Sequence, residues 1–165
     1  MKLPEWGSGI GKHILKLADG ASIPGVFRGE MVRFYQHWAN NQSSICPGRE
    51  TCALCKQGEK GTGRFRINFL TQENGQWVAK IFEAGRKVFD QMVALNADCP
   101  LEKMKVKIIR NGTGKNATTT VAGFVGEQAL VQPELEKILV QVPLHDLQAA
   151  LKHSDEEEVS GDIPF

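Results

Sequence analysis

Long apolar runs are absent from this chain. Its apolar stretches fall far short of the roughly 18 residues that a membrane helix needs, so no membrane partner is expected. The opening MKLPEWGSG holds one lysine and no apolar h-region, which predicts no secretory leader. A phosphate-binding loop is missing as well. Residues 7–12 read GSGIGK, but that motif needs Gly at position 6 and Ser or Thr at position 13, where the chain has Trp6 and His13. No Ser/His/Asp set and no pair of carboxylates stands out. Neither a parallel βαβ alternation nor an internal repeat is visible, which disfavours a doubly wound sheet. These gaps make a non-enzymatic protein the expectation.

Cysteine is scarce, and what there is lies close together. Of four cysteines, Cys46, Cys52 and Cys55 fall inside CPGRETCALC. Without an export signal, such spacing favours metal or redox chemistry over disulfides. Cys52 and Cys55 enclose two residues, so two sulfurs can grip one ion from a tight turn, and Cys46 can close a third corner. The surrounding loop, about 37–60, is too poor in apolar residues to form a core of its own. One tetrahedral Zn²⁺ on His37, Cys46, Cys52 and Cys55 would hold it. Cys99 is the alternative fourth ligand, followed by His13, His145 and His153. A redox CxxC needs a βαβ setting that is missing here. A zinc deaminase needs H-x-E with P-C-x-x-C, whereas Trp38-Ala39 follow His37 and Thr51 precedes Cys52. A structural ion is therefore expected.

The patterning around this loop is that of short strands. Two are expected at about 22–28 and 31–38, joined by a tight turn at Gly29-Glu30. In the second, Val32, Phe34, Gln36 and Trp38 share one face, and Arg33, Tyr35 and His37 the other. Residues 64–71 alternate Phe65, Ile67 and Phe69 with Arg64, Arg66 and Asn68. Asn74-Gly75 is a hairpin signal leading to a partner strand at about 76–83. A helix is expected over 84–96, with Val88, Met92 and Leu95 on one stripe. Strands at about 104–110 and 117–125 follow, then a helix at about 144–152 after Pro143. The expected class is mainly β: an OB-type Greek-key barrel of five or six strands with an inserted zinc loop and one or two short helices. It would occupy 1–153, with a disordered acidic tail at 154–165.

Charge is unevenly spread. Residues 155–165 carry five acids and no base; without them 14 acidic residues face 20 basic ones, a net +6. A basic body suits a polyanion. The strands interleave cations with rings, which is what single-stranded nucleic acid needs: cations for phosphates and rings for bases. The candidate contacts are Arg28, Arg33, Tyr35, Trp38, Arg64, Arg66, Asn68, Trp77, Lys80, Phe82, Arg86, Lys105 and Lys107. No recognition helix, basic zipper or RNP signature is present, so sequence-specific duplex reading is not expected. A zinc-ribbon module for protein or double-stranded DNA is the alternative, and a zinc hydrolase or deaminase a more remote one.

The end of the chain adds a resemblance. Asp162, Ile163, Pro164 and Phe165 close an acidic stretch, and this DIPF tip resembles the C-terminus of bacterial single-stranded DNA-binding proteins. The Cys₃His loop in an OB-type domain is similar to the helix-destabilising protein of T4-like bacteriophages. FRGEMVRFYQHW followed by CPGRETCALC resembles other phage single-stranded DNA-binding proteins. The resemblance implies a protein of the host cytoplasm that coats single strands during phage replication, recombination and repair. It further implies that Asp162–Phe165 dock on enzymes of those processes. A monomer or dimer is the expected state.

Overall fold

A computed structural model describes residues 13–39 and 42–148. Strand β1 is Ser22–Ala39 and β2 is Gln42–Ile45; a one-turn helix α1 spans Ala53–Lys56. Then come β3 (Thr62–Glu73), β4 (Gln76–Gly85), helix α2 (Arg86–Asp98), β5 (Val106–Asn111), β6 (Thr118–Gly123) and helix α3 (Pro133–Leu139). The six strands form one antiparallel sheet in the order β4-β3-β1-β5-β6, with β2 attached to β1. No helix among the described residues is long and apolar enough to cross a membrane.

The length of β1 lets one strand serve three partners. Ser22–Gly25 pair with β5, Val26–Gln36 with β3, and Gln36–Ala39 with β2. The expected turn at Gly29-Glu30 is instead a bulge. Arg28 faces Asn68, and the next paired residue, Val32, faces Arg66, so β1 carries two extra residues there. Gly29 takes φ 78°, which kinks the strand without reversing it. The hairpin expected at Asn74-Gly75 is present, with φ 52° and 78° at the two residues, as a primed two-residue turn requires.

The sheet is not closed by hydrogen bonds. Among the described residues no ladder joins β4 to β6. Helix α2 lies in that seam and packs on both strands. Its Gln91 Oε1 accepts a hydrogen bond from the Val121 N–H at 2.9 Å, so a helix side chain satisfies a strand-edge donor. Val88 and Met92 of α2 are buried, while Val93, which lies beside that stripe, is exposed. They join a core with Phe27, Phe65, Ile67, Phe69, Phe82, Val106, Ile108 and Val121. Its rings form a chain: Phe27 meets Phe69 and Phe82, and Phe65 meets Phe82 and Phe89, with centroids 5.1 to 6.1 Å apart.

The second face of β3 is covered, and sequence alternation gave no sign of this. Every residue from Phe65 to Thr71 is buried. The cover is the segment 133–148. Leu139 packs on Val26 and Leu70, and Leu147 on Val32 and Ile81. Asn68 clasps this segment: its Nδ2 donates to the His145 carbonyl at 3.0 Å, and its Oδ1 accepts from the His145 N–H at 2.9 Å. The first α-helix after β6 is α3, with Pro133 in its first turn, where a missing N–H costs nothing. Of the helix expected at 144–152, Leu144, His145 and Asp146 are not helical, Leu147 and Gln148 are, and 149–152 lie outside the described residues.

Arg28 ties the same cover down through a two-pronged ion pair with Glu136 of α3, one arm at 2.8 Å. Hydrogen bonding from Arg28, and less strongly its charge, hold the Glu136 carboxyl below its ordinary value of 4.5. A depressed folded-state pKa contributes stability above the ordinary value and loses it as pH falls through the depressed one. Thermal melts between pH 6 and pH 3 should therefore show a fall below about pH 4.5. An Arg28→Gln variant should show less of it.

Gly25 marks the closest approach in the sheet. A Cβ there would lie 2.3 Å from the Leu70 carbonyl oxygen and 2.5 Å from Cζ of Phe69. Neither backbone nor core ring can give way cheaply. Gly25→Ala is expected to cost about 3 kcal/mol, lowering the melting temperature by roughly 10 °C. A variant melting within 2 °C of wild type, a margin of about 0.5–1 kcal/mol, would contradict this packing.

Candidate metal centre and adjoining cleft

The β1–β2 pairing brings the ligand candidates together. His37 lies on β1 opposite Ser44 of β2. The Cys46 N–H then donates to the Tyr35 carbonyl at 2.7 Å, which places Cys46 beside His37. A tight turn follows, with the Cys52 N–H bonded to the Gly48 carbonyl at 2.9 Å. Cys52 caps α1 and Cys55 lies within it, so the CxxC spacing becomes one helical turn with both sulfurs on one side. The chain returns over this centre at Gly61, where a Cβ would sit 3.1 Å from Tyr35 Cβ and 3.4 Å from His37 Cε1.

His37 Nε2 and the sulfurs of Cys46, Cys52 and Cys55 all lie within 4.8 Å of one another. The closest pairs are Cys46–Cys55 at 3.6 Å, Cys52–His37 at 3.5 Å and Cys55–His37 at 3.3 Å. A tetrahedral ion with bonds of about 2.3 Å to sulfur and 2.0 Å to nitrogen sets its ligands about 3.8 Å and 3.5 Å apart. The donor set therefore fits one structural metal ion. Cys99 is not part of it; its sulfur lies near the Pro100 carbonyl. His13 and His145 stack on each other elsewhere, and His145 Nε2 reaches the Ala79 carbonyl at 2.8 Å. His153 lies outside the described residues.

The electrostatics point the same way. Burial, aided by the neighbouring sulfurs, pushes the Cys55 thiol up to about 11. The Cys55 backbone N–H lowers Cys52, against the effect of burial. The metal-free cluster thus resists carrying three thiolates, and a cation removes that resistance. His37 is 1% exposed, and its Nδ1 has no hydrogen-bond partner among the described residues. With Nε2 turned to the sulfurs as the bare nitrogen, a buried Nδ1–H is left unsatisfied. Metal ligation offsets that penalty of about 1–3 kcal/mol.

A cleft of about 620 Å³ adjoins the centre, lined by Arg33, Phe34, Tyr35, Thr62, Gly63, Arg64, Phe65, Gly85, Arg86 and Phe89. No acid is among them. Tyr35 is 63% exposed, and Trp38, next to the ligand His37, is 68% exposed. No family model, curated protein or solved structure matches this chain. The reading of the site therefore rests on its own chemistry.

The structure sorts the thirteen candidate contacts. It gathers Arg33, Tyr35, Arg64 and Arg86 around the cleft, with Trp38 exposed on the same strand. Other cations are engaged internally. Arg28 holds Glu136, Lys80 holds Glu73 at 3.0 Å, and Arg66 holds Glu83 at 2.8 Å beneath the Phe34 ring. Asn68 is used up by the His145 clasp, and Phe82 is in the core. Trp77 is half-buried against the cluster around Leu139 and lines a second cleft with Lys80 and His145. Lys105 and Lys107 are half-buried on or just before β5, with Lys107 near the Phe124 ring. Asp162, Ile163, Pro164 and Phe165 lie outside the described residues. Sequence reasoning missed Phe89 as a cleft wall and Glu83 as the shared counterion of Arg64 and Arg66.

Proposed function

We propose that this is a single-stranded DNA-binding protein of a bacteriophage, carrying one structural zinc. The observation that carries the reading is a cleft with three arginines, the exposed ring of Tyr35 and no acid among its described lining residues, with a second exposed ring, Trp38, further along β1. Tyr35 stands among cations that would hold a phosphate backbone. Stacking is tolerant of sequence because every base has a π-face, so the protein coats strands with little preference. No catalytic residue is assigned.

The fold is read as an OB-type barrel. The order β4-β3-β1-β5-β6, with a helix between β4 and β5, supports this, and OB barrels are partly open. Here α2 stands in for the closing ladder. Three thiolates with one imidazole support zinc over harder cations. The Asp162–Phe165 tip is the proposed dock for replication, recombination or repair proteins in the host cytoplasm.

Competition tests the reading. A labelled dT oligonucleotide bound to the protein should be displaced by unlabelled single strands and poorly by a duplex of equal length. Equal displacement by the duplex would favour a double-stranded-DNA module and overturn the proposal.

A further inference from the structure

The two clefts differ in one respect. Around the second, the cation Lys80 is neutralised by Glu73, itself a lining residue. Around the first, Arg33, Arg64 and Arg86 share the walls with rings and glycines and no acid. Arg33 and Arg86 are exposed; among the described residues Arg86 pairs with Asp90, at 3.7 Å, from the outside of α2. Arg64 is set deeper, with 30% of its side chain exposed.

Beneath them, one carboxylate serves two guanidiniums. Glu83 accepts from Arg66 Nε at 2.8 Å and from Arg64 Nη2 at only 3.4 Å. Arg66, with 7% of its side chain exposed, takes the short bond. Arg64 is left with a long one and with a buried Nε that, like Nη1 of Arg66, has no partner among the described residues. Among the described residues, two positive charges against one negative leave one unit of charge uncompensated under the cleft. Gly85, with no side chain, leaves the space beside Arg64 Nη1 open.

We infer that Arg64 is the phosphate anchor of this cleft: it binds one phosphodiester of a single strand while an adjacent base stacks on Tyr35. Glu83 holds Arg64 in place without neutralising it, because Arg66 already occupies that carboxylate. Arg33 and Arg86 sit on the rim and steer the strand. The inference rests on the single-strand reading above and goes further, assigning the deepest of the three cleft arginines to one phosphate.

The test measures dT15 binding by fluorescence anisotropy across a salt series, with the full chain. Each lost phosphate contact lowers the slope of log K against log salt by about 0.7 for single strands. Arg64→Gln should lower the slope by that amount and weaken binding about ten- to hundredfold. Arg64→Lys should restore the slope but not the full affinity, since a lysine lacks the planar fork. Lys137→Gln, on α3 and away from the cleft lining, should leave the slope at the wild-type value. Thermal melts confirm that each variant is folded. An unchanged slope in folded Arg64→Gln, beside tight salt-sensitive wild-type binding, overturns the anchor and leaves the single-strand reading standing. An equal drop in Lys137→Gln also overturns it, by showing a general charge effect. Absence of wild-type binding overturns both.

Discussion

Stripping the metal should weaken binding to single-stranded DNA about ten- to hundredfold while the far-UV signature of the sheet survives. The loop that holds the ion contributes little to the rest of the protein. Helix α1 buries no residue, and no member of the Cys46–Cys55 loop belongs to any of the core clusters. The loop is instead tied to the end of β1. The Cys46 N–H bonds the Tyr35 carbonyl, and His37 lies between Tyr35 and Trp38. Without the ion, the Cys55 thiol, raised to about 11, stays protonated at neutral pH and the cluster loses its centre. The rings then lose their fixed setting. Losing one good stack costs about 1–3 kcal/mol, which is the stated range. A chelator titration should release one equivalent of zinc and cut affinity, with a modest fall in melting temperature. Cys52→Ser should do the same without chelator. Loss of all secondary structure on chelation would show that the metal holds up the whole fold.

Truncating the exposed rings should have the second large effect. Tyr35→Ala and Trp38→Ala are each expected to cost about 1–3 kcal/mol of binding. The double variant should lose roughly the sum, at least about 30-fold, if the two stack on separate bases. Neither change touches the core, so stability should move by less than about 0.5 kcal/mol. Phe82→Ala supplies the contrast. That ring is buried among Phe27 and Phe65, so its loss should cost about 3–5 kcal/mol of folding. Anisotropy titrations and thermal melts on the same preparations separate the two effects. Full binding by the double ring variant would remove β1 from the interface.

Much of this was legible in the residues, and the misses have physical causes. The CxxC spacing, and the place of His37 at the end of the strand that feeds the loop, made His37 and three cysteines the expected ligands. The alternation of β1 made Arg33 and Tyr35 share a face, because side chains of a strand point to alternate faces. What alternation does not reveal is whether a polar face meets water or another segment. Arg64, Arg66 and Asn68 read as one open cationic row. In the fold Asn68 clasps His145, and Arg66 is sealed above Glu83. The Glu83 partner could have been found. The two-residue turn at Asn74-Gly75 sets Glu73 opposite Gln76, and counting back puts Arg66 opposite Glu83. The bulge at Gly29 was harder to see, since a glycine before an acid reads equally well as a turn. The seam closed by Gln91 carries no local signal, because the contact joins a helix to a strand thirty residues away.

The central claim is that the exposed rings and arginines bind single-stranded DNA. Tryptophan fluorescence during titration with poly-dT, across a salt series, tests it most directly. Trp38 is exposed near the end of β1 and Trp77 is half-buried, so a stacked base should quench mainly Trp38. The account predicts saturable quenching at low salt, weakening steeply as salt rises through counterion release, and largely lost in Trp38→Phe. No quenching and no salt-sensitive binding by the metal-loaded protein would contradict it.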